Sequence, residues 1–166
     1  MKEKWTCDSE FSFSDEKFAK IYRFFVIECP VENVSIRGIS FAERKVNLSA
    51  LNKKIKIISP NLKECWFPIE EKEDTEVSDI IKSNGIFLHN KDTKEIVVFR
   101  YEKRKETEAF FYCIRCALAH GGFCIHNINE IKYYCFENIK EAIVRARIIL
   151  KEETLLEIIN YCESKS

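Results

Sequence analysis

Apolar residues recur at helical spacing in several segments of the chain. Residues 14–28 carry them at intervals of three and four, which predicts a helix with Ser14 as its N-cap and an end at Pro30. A looser helical spacing over residues 41–58 predicts a second helix. Residues 59–79 contain two prolines and an acidic run, and we interpret them as a loop.

Other segments show the patterns of strands. Residues 85–101 form two β-branched or aromatic runs around an Asn-Lys-Asp turn, which predicts a β-hairpin. Short strands are predicted at 123–127 and 131–136, and apolar and polar residues alternate over 142–151 as in a strand. Residues 152–164 begin with two acids and predict a terminal helix.

These elements predict a mainly α (α+β) fold, a helical bundle with β-hairpin insertions, in one domain spanning residues 1–166. The composition fits, because 46% of the 166 residues are hydrophobic and 13% are aromatic, which is enough for a core. No apolar run approaches the roughly 20 residues that a membrane-spanning helix needs. The first residues, "MKEKWTCDSEFSFSDEK", are too polar for a signal peptide, so we expect a cytoplasmic protein without a membrane partner.

Charge and cysteine content narrow the function. Lys plus Arg and Asp plus Glu each number 27, and this zero net charge argues against a protein that binds nucleic acid through its overall field. Local cationic patches remain at "RYEKRK" (100–105), "KKIK" (53–56) and "RAR" (145–147). Eight cysteines in a reducing compartment are not expected to form disulfides.

The segment "YCIRCALAHGGFCIH" (112–126) concentrates side chains that could bind a metal ion. A zinc set would comprise Cys113, Cys116, His120, Cys124 and His126. The first three share one face of the predicted helix, and the last two could fold back after the glycines. Apolar neighbours explain buried thiols without an ion. A zinc-stabilised domain is therefore an alternative, and we expect no metal or cofactor.

The segment "IRCALAHGGF" (114–123) resembles the signature of the HEPN superfamily, an Arg followed after four to six residues by a His at the end of an apolar helix. Arg115 and His120 fit that frame, and Gly121 stops the helix. The resemblance covers about residues 100–164. It implies a metal-independent endoribonuclease, of a subgroup found in prokaryotic toxin–antitoxin and antiviral defence systems. It also implies a homodimer with a composite active site, an RNA substrate and a possible antitoxin partner.

The resemblance implies a role for each motif residue. His120 would move protons near neutral pH, and Arg115 would stabilise charge on the phosphate, giving a 2′,3′-cyclic phosphate and a 5′-hydroxyl. In one straight helix the two side chains point about 140° apart and lie about 7.5 Å apart along the axis, so they would converge only with those of a second copy. Cys116 stands where family members often carry Asn, and its thiol is a weaker hydrogen-bonding partner.

A second hypothesis is a catalytically degenerate HEPN-like module that binds RNA or a protein partner and dimerises. Cys116 in place of Asn favours it. Its RNA contacts would come from Arg100, Lys103, Arg104 and Lys105.

A purely structural role for the motif is a third possibility. Arg115 could anchor a carboxylate such as Glu108 or Glu137, and His120 could cap the last carbonyls of the helix. Two further histidines have no motif around them and are expected at the surface: His89 and His126.

Overall fold

A computed structural model describes residue 5, residues 9–86 and residues 93–165. The α-helices of these residues are α1 (Glu16–Tyr22), α2 (Leu48–Ile58), α3 (Val77–Ser83), α4 (Glu106–Ala119) and α5 (Glu152–Glu163). The strands are β1 (Trp66–Glu70), β2 (Ile96–Tyr101), β3 (Phe123–Ile128), β4 (Ile131–Lys140) and β5 (Ile143–Lys151). A π-helical segment (Arg23–Ile27) continues α1, and a 3-10 turn (Pro60–Lys63) follows α2.

The strands form one mixed five-stranded sheet in the order β1-β2-β5-β4-β3. Strands β1 and β2 are parallel and are connected through α3, whereas every other neighbouring pair is antiparallel. Tight turns join β3 to β4 and β4 to β5, so the last three strands form a meander. Helix α5 follows β5 without a linker and packs beside α1 and α2.

Two apolar cores lie on the two faces of the sheet. Helices α1, α2, α4 and α5 cover the larger core, to which β2 contributes Val97 and Phe99. Helix α3 and Trp5 belong to the smaller core, to which β2 contributes Ile96 and Val98. This alternation follows from the period of two in a strand, which sends successive side chains to opposite faces. Strands in the middle of the sheet are therefore buried on both sides.

The predicted fold class, a mainly α helical bundle with β-hairpin insertions, is wrong. The chain has an α+β fold in which a five-stranded mixed sheet lies at the centre. Residues 142–151 were predicted as a strand, but they form β5, the middle strand, rather than part of a surface insertion. The pattern of one strand does not reveal how many neighbours it has, and that number decides whether a sheet organises the fold.

The prediction of a loop over residues 59–79 is also wrong, because β1 lies wholly within that range and α3 begins in it, at Val77. Pro68 argued against a strand in this range, because proline interrupts the hydrogen-bonding ladder of a central strand. Strand β1 is at the edge of the sheet and pairs only with β2 among the described strands, and an edge strand tolerates proline.

The hairpin predicted over residues 85–101 is not formed by β2. Both edges of β2 are occupied, one by β1 and the other by β5. The predicted turn and His89 lie outside the described residues.

The predicted helix at residues 14–28 is confirmed as α1 and its π-helical extension, but its N-cap is Asp15 rather than Ser14. The Asp15 carboxylate accepts hydrogen bonds from the backbone N–H groups of Lys17 at 3.0 Å and Phe18 at 3.2 Å. Two orphan donors at the start of the helix are satisfied in this way.

Within the predicted helix at residues 41–58, only α2 is helical. Asn47 begins it, because the side-chain oxygen accepts the N–H of Ala50 at 2.9 Å. The predicted helix before Gly121, the two short strands that follow it, the strand at 142–151 and the terminal helix are confirmed as α4, β3, β4, β5 and α5.

Candidate active site

Helix α4 carries the predicted motif and packs on the large-core face of the sheet. Its apolar face is buried against β4, β2, α2 and the π-helical segment. Phe111 is fully buried, with its ring 5.4 Å from that of Phe25 and 5.0 Å from that of Phe41. Burying one such ring contributes about 2 to 3 kcal/mol to folding. The helix is therefore firmly anchored, and the position of its C-terminal end is fixed.

Helix α4 ends in a Schellman motif formed by the two glycines. Gly121 has a φ of 71°, and its N–H donates to Leu118 O at 3.5 Å. The N–H of Gly122 donates to Ala117 O at 2.8 Å. These are the two bonds of the motif, and the left-handed residue is the position that favours glycine. Gly121 is confirmed as the helix stop, and His120 is the C-cap residue before it.

Close packing explains the second glycine. A Cβ atom added to Gly122 would lie 2.3 Å from the carbonyl oxygen of Glu137 in β4. The backbone of Gly122 also accepts the N–H of Glu137 at 2.7 Å. The end of α4 is thus held directly against the central sheet.

His120 is exposed and lies on a groove of about 700 Å³ beside the end of α4. We call this the cationic groove, because five basic residues line it: Arg100, Lys103, Arg104, Lys140 and Arg145. Helix α4 contributes Tyr112 and Cys116 to the lining as well as His120, and β4 contributes Asn138. Three acids also line the groove: Glu32, Glu102 and Glu108.

The basic residues of the cationic groove differ in their partners. Arg145 forms an ion pair with Glu71 at 2.6 Å, and Arg100 donates to the backbone carbonyls of Glu73 and Thr75. Within the described part of the chain, Lys103, Arg104 and Lys140 form no ion pair. Arg104 instead lies over the ring of Tyr112, 4.6 Å from its centre. Three cations of the groove therefore retain charge that a ligand could neutralise.

The structure separates the two residues of the Arg–His motif. Arg115 does not line the cationic groove and is half-buried, and its buried Nε has no hydrogen-bond partner among the described residues. Its charge acts on Cys29, a buried residue that follows the π-helical segment. Burial raises the pKa of the Cys29 thiol, and a backbone bond from Val31 and the charge of Arg115 oppose that rise. Arg115 and His120 of one protomer thus do not face a common groove.

Neither carboxylate proposed as an anchor for Arg115 pairs with it. Glu137 pairs with Arg147 at 2.8 Å, and Glu108 accepts the backbone N–H of Lys105 at 3.4 Å. Lys105, also a predicted RNA contact, lines a neighbouring groove with Glu108 and not the cationic groove. The other three predicted RNA contacts, Arg100, Lys103 and Arg104, do line the cationic groove.

Cys116 is buried, and its thiol forms a hydrogen bond with Tyr112 rather than with the imidazole of His120. A hydrogen bond to Cys116 is the largest cause that raises the pKa of the Tyr112 phenol, and the charge of Arg104 opposes it. Cys113 is buried one turn away, and burial raises the pKa of its thiol to about 12. The Asn138 amide donates to its sulfur at 3.9 Å. Both thiols belong to the packing of the groove floor.

The predicted five-residue zinc set is not assembled. Cys113 lies in the large core, whereas Cys124 lies in the small core on the opposite face of the sheet. In the described part of the chain, a group with the spacing of metal ligands is formed by Cys124, His126 and Cys135. His126, expected at the surface, is half-buried. The helical spacing could not indicate this group, because Cys135 joins it through strand pairing.

Three residues of the groove were not predicted from the sequence: Tyr112, Asn138 and Lys140. Arg145 was noted only as part of the cationic patch at 145–147. Helix α4 and two neighbouring strands bring these residues together, so no local spacing predicts their meeting. The signal that could have found Tyr112 is its position four residues before Cys116, which puts both side chains on one face of the helix.

Comparison with protein-family models, curated proteins and solved structures finds no match to this chain. Among the described residues, no helix is both long enough and apolar enough to cross a membrane.

Proposed function

We propose that the chain is a metal-independent endoribonuclease in which His120 transfers protons and the cationic groove holds the phosphodiester. The observation that carries the proposal is the exposed imidazole of His120 on a groove where Lys103, Arg104 and Lys140 form no ion pair within the described residues. An imidazole that can transfer protons, beside several cations that can stabilise a phosphate, is a combination suited to phosphodiester cleavage.

Among the cations of the protomer that supplies His120, Arg104 is the best placed to contact a phosphate of the RNA. Its guanidinium lies over the Tyr112 ring at 4.6 Å, and a planar guanidinium offers a fork of donors matched to phosphate oxygens. Lys103 and Lys140, both exposed, would contact the neighbouring phosphates of an RNA strand.

The proposed reaction is an attack of the ribose 2′-oxygen on the adjacent phosphorus. The bond from phosphorus to the 2′-oxygen forms while the bond to the 5′-oxygen breaks. The 2′-hydroxyl gives its proton to a base, and the 5′-oxygen takes a proton from an acid, so the products are a 2′,3′-cyclic phosphate and a 5′-hydroxyl. His120 acts as one of these two groups and water acts as the other, so a groove needs one intact His120.

Arg115 enters the proposed site only through the dimer. Its Nε lacks a partner within the described residues, and its side chain does not line the cationic groove of its own protomer. A two-fold axis near the end of α4 would present Arg115 of one copy toward the groove of the other. The role of the enzyme as a toxin or antiviral effector, and an antitoxin partner, are part of the same proposal and rest on the HEPN resemblance.

The test is cleavage of total RNA in EDTA by the wild-type protein and by His120→Ala. Circular dichroism in the same buffer shows that both are folded, and His89→Ala is the histidine control. We expect cleavage by the wild type and by His89→Ala, with 2′,3′-cyclic phosphate ends, and a loss of at least 100-fold in His120→Ala, in line with the contribution of general acid–base groups. An inactive wild type, or equal cleavage by wild type and His120→Ala, contradicts the proposal.

A second candidate is an RNA-binding module without catalysis. Cys116 favours it, because this thiol is buried and bonded to Tyr112, so it offers His120 no hydrogen-bonding support. Wild-type protein would then retain labelled RNA in a binding assay and leave it uncut. The same assay with Lys103→Ala shows whether that binding uses the cationic groove.

A further inference from the structure

Cys124, His126 and Cys135 lie together because of the β3–β4 pairing alone. Cys124 and His126 are two residues apart in β3, so their side chains leave the same face of the strand. Cys135 of β4 is the register partner of Cys124 in this antiparallel pair, which puts it on that face as well. We call these three residues the Cys2His cluster.

The turn between the strands fixes this register. Asn129 and Glu130 have φ values of 50° and 65°, the left-handed pair that closes a two-residue hairpin of type I′. The pairing then runs without a shift from Ile128 opposite Ile131 to Phe123 opposite Phe136. The cluster is thus built into one short, local hairpin.

The distances suit a tetrahedral metal ion. The three ligand atoms lie within 4.8 Å of one another, and Cys124 Sγ is 3.1 Å from His126 Nε2. Zinc bonds of about 2.3 Å to sulfur and about 2.0 Å to nitrogen place tetrahedral ligand atoms about 3.5 to 3.8 Å apart. The 3.1 Å spacing is a little shorter than that range and no spacing exceeds 4.8 Å, so small side-chain rotations bring the three atoms onto one ion.

The surroundings favour a divalent cation that prefers soft ligands. Cys124 and Cys135 are 0% and 1% exposed and belong to the small apolar core with Trp5 and Ile149. Two thiolates in such a place need compensating positive charge, and one divalent ion supplies it while the imidazole stays neutral. Sulfur and imidazole ligands select zinc over magnesium or calcium, which take oxygen ligands.

We propose that the Cys2His cluster binds one zinc ion, with the fourth position taken by water or a further donor. The ion ties β3 to β4 on the face of the sheet opposite α4. It takes no part in the ribonuclease reaction proposed for His120, and the two proposals stand on different observations. The competing explanation is a thiol–imidazole contact within an ordinary apolar core, and metal content separates the two.

The experiment measures zinc in the purified full chain by mass spectrometry. Cys124→Ser and Cys135→Ser remove ligands, and Cys65→Ser is the matched control, because Cys65 also packs against the small core but lies outside the cluster. We expect one zinc per chain in the wild type and in Cys65→Ser, and loss of that zinc in the two ligand variants. Circular dichroism reports whether each variant is folded.

A second measurement avoids the risk that a variant misfolds. Wild-type protein stripped of metal is titrated with Co²⁺, and we expect a thiolate-to-metal charge-transfer band that saturates at one Co²⁺ per chain and that one equivalent of Zn²⁺ abolishes. Wild type purified without zinc that also gives no Co²⁺ band overturns the proposal. A full zinc equivalent retained by a folded Cys124→Ser also overturns it. Neither readout uses RNA, so failure here is distinct from failure of the ribonuclease proposal.

Discussion

The guanidinium of Arg104 lies over the ring of Tyr112, 4.6 Å from its centre, in a groove that also contains His120. Because Tyr112 and His120 both belong to α4 or its cap, this stacking ties Arg104, in the loop before the helix, to the same rigid element. The cation is held in one place instead of extending into solvent, which favours a defined contact with an anion.

Replacing Arg104 tests whether that contact is with RNA. We expect Arg104→Ala to weaken RNA binding about tenfold, or about 1.4 kcal/mol, because a charged hydrogen-bonding pair is lost. The slope of log K against log salt should fall by about one. Arg37→Ala is the control, because Arg37 is exposed and outside the cationic groove. Equal salt slopes for Arg104→Ala and the wild type would show that Arg104 meets no phosphate.

Mixing two inactive variants tests the composite site. If Arg115 of one copy serves the groove of the other, Arg115→Ala and His120→Ala are each inactive as homodimers. A mixture that exchanges subunits contains heterodimers with one intact Arg115 and one intact His120, and we expect part of the RNA cleavage to return. The control is a mixture of His120→Ala with inert protein of the same total concentration. No recovery after proven subunit exchange would assign both roles to a single protomer.

The two glycines after His120 should differ in their cost when replaced. Gly121→Ala meets no atom within 4 Å and suffers only from its φ of 71°, so we expect a loss of about 1 kcal/mol in the free energy of unfolding. Gly122→Ala would set a Cβ atom 2.3 Å from Glu137 O, so strands or helix must shift. We expect about 3 kcal/mol or more, as for strained or overpacked sites.

Urea denaturation of both variants measures this difference. The ratio matters more than either value, since each variant is the other's control for an added methyl group. A Gly122→Ala protein as stable as Gly121→Ala would mean that α4 does not abut β4 as described.

The Asp15 carboxylate should make stability depend on pH. Its hydrogen bond from Lys132, 2.9 Å away, is the largest cause that lowers the pKa of Asp15 in the folded state. A lowered folded pKa means that the stabilisation is complete above the unfolded pKa of about 3.9 and is lost as the pH falls through the folded value. Asn is also a good N-cap, so Asp15→Asn removes mainly the charge.

We therefore expect Asp15→Asn to be less stable than the wild type at pH 7 and to converge with it in acid. Denaturation curves across that range measure the difference in the free energy of unfolding. In a Lys132→Met background the substitution should cost less, because the donor of the ion pair is absent. A difference that stays constant with pH would refute the assignment to charge.

The sequence was sufficient where one element carries its own pattern. Helix α4 shows an apolar face and a double glycine, so its C-terminal end was predicted, and β5 alternates along its length and was predicted near its observed bounds. Strand β1 was missed because its edge position permits Pro68, and an edge position is a property of the sheet. The central sheet itself was missed because strand order depends on long-range pairing, such as β1 with β2 across α3.

The residues of the candidate site were also predictable only where a local pattern indicates them. His120 and Arg104 were named from local patterns and lie on one groove, as expected for residues near the same helix. Lys140 and Arg145 reach that groove from the β4–β5 turn region, and sequence spacing contains no information on that approach. Pairing also decided the cysteines, because Cys135 lies eleven positions after Cys124 yet directly opposite it.

Strand β4 is shared by both regions of proposed chemistry, since it supplies Cys135 to one and Asn138 to the other. Two-residue turns with left-handed backbones join it to its neighbours: Asn129-Glu130 leads from β3, and Glu141-Ala142 leads to β5. A one-residue slip in the register that the first turn fixes would exchange the faces of Cys135 and Phe136. A benzyl group would then occupy the place of a sulfur ligand. The register of this one strand therefore decides which side chains reach the Cys2His cluster and which reach the cationic groove.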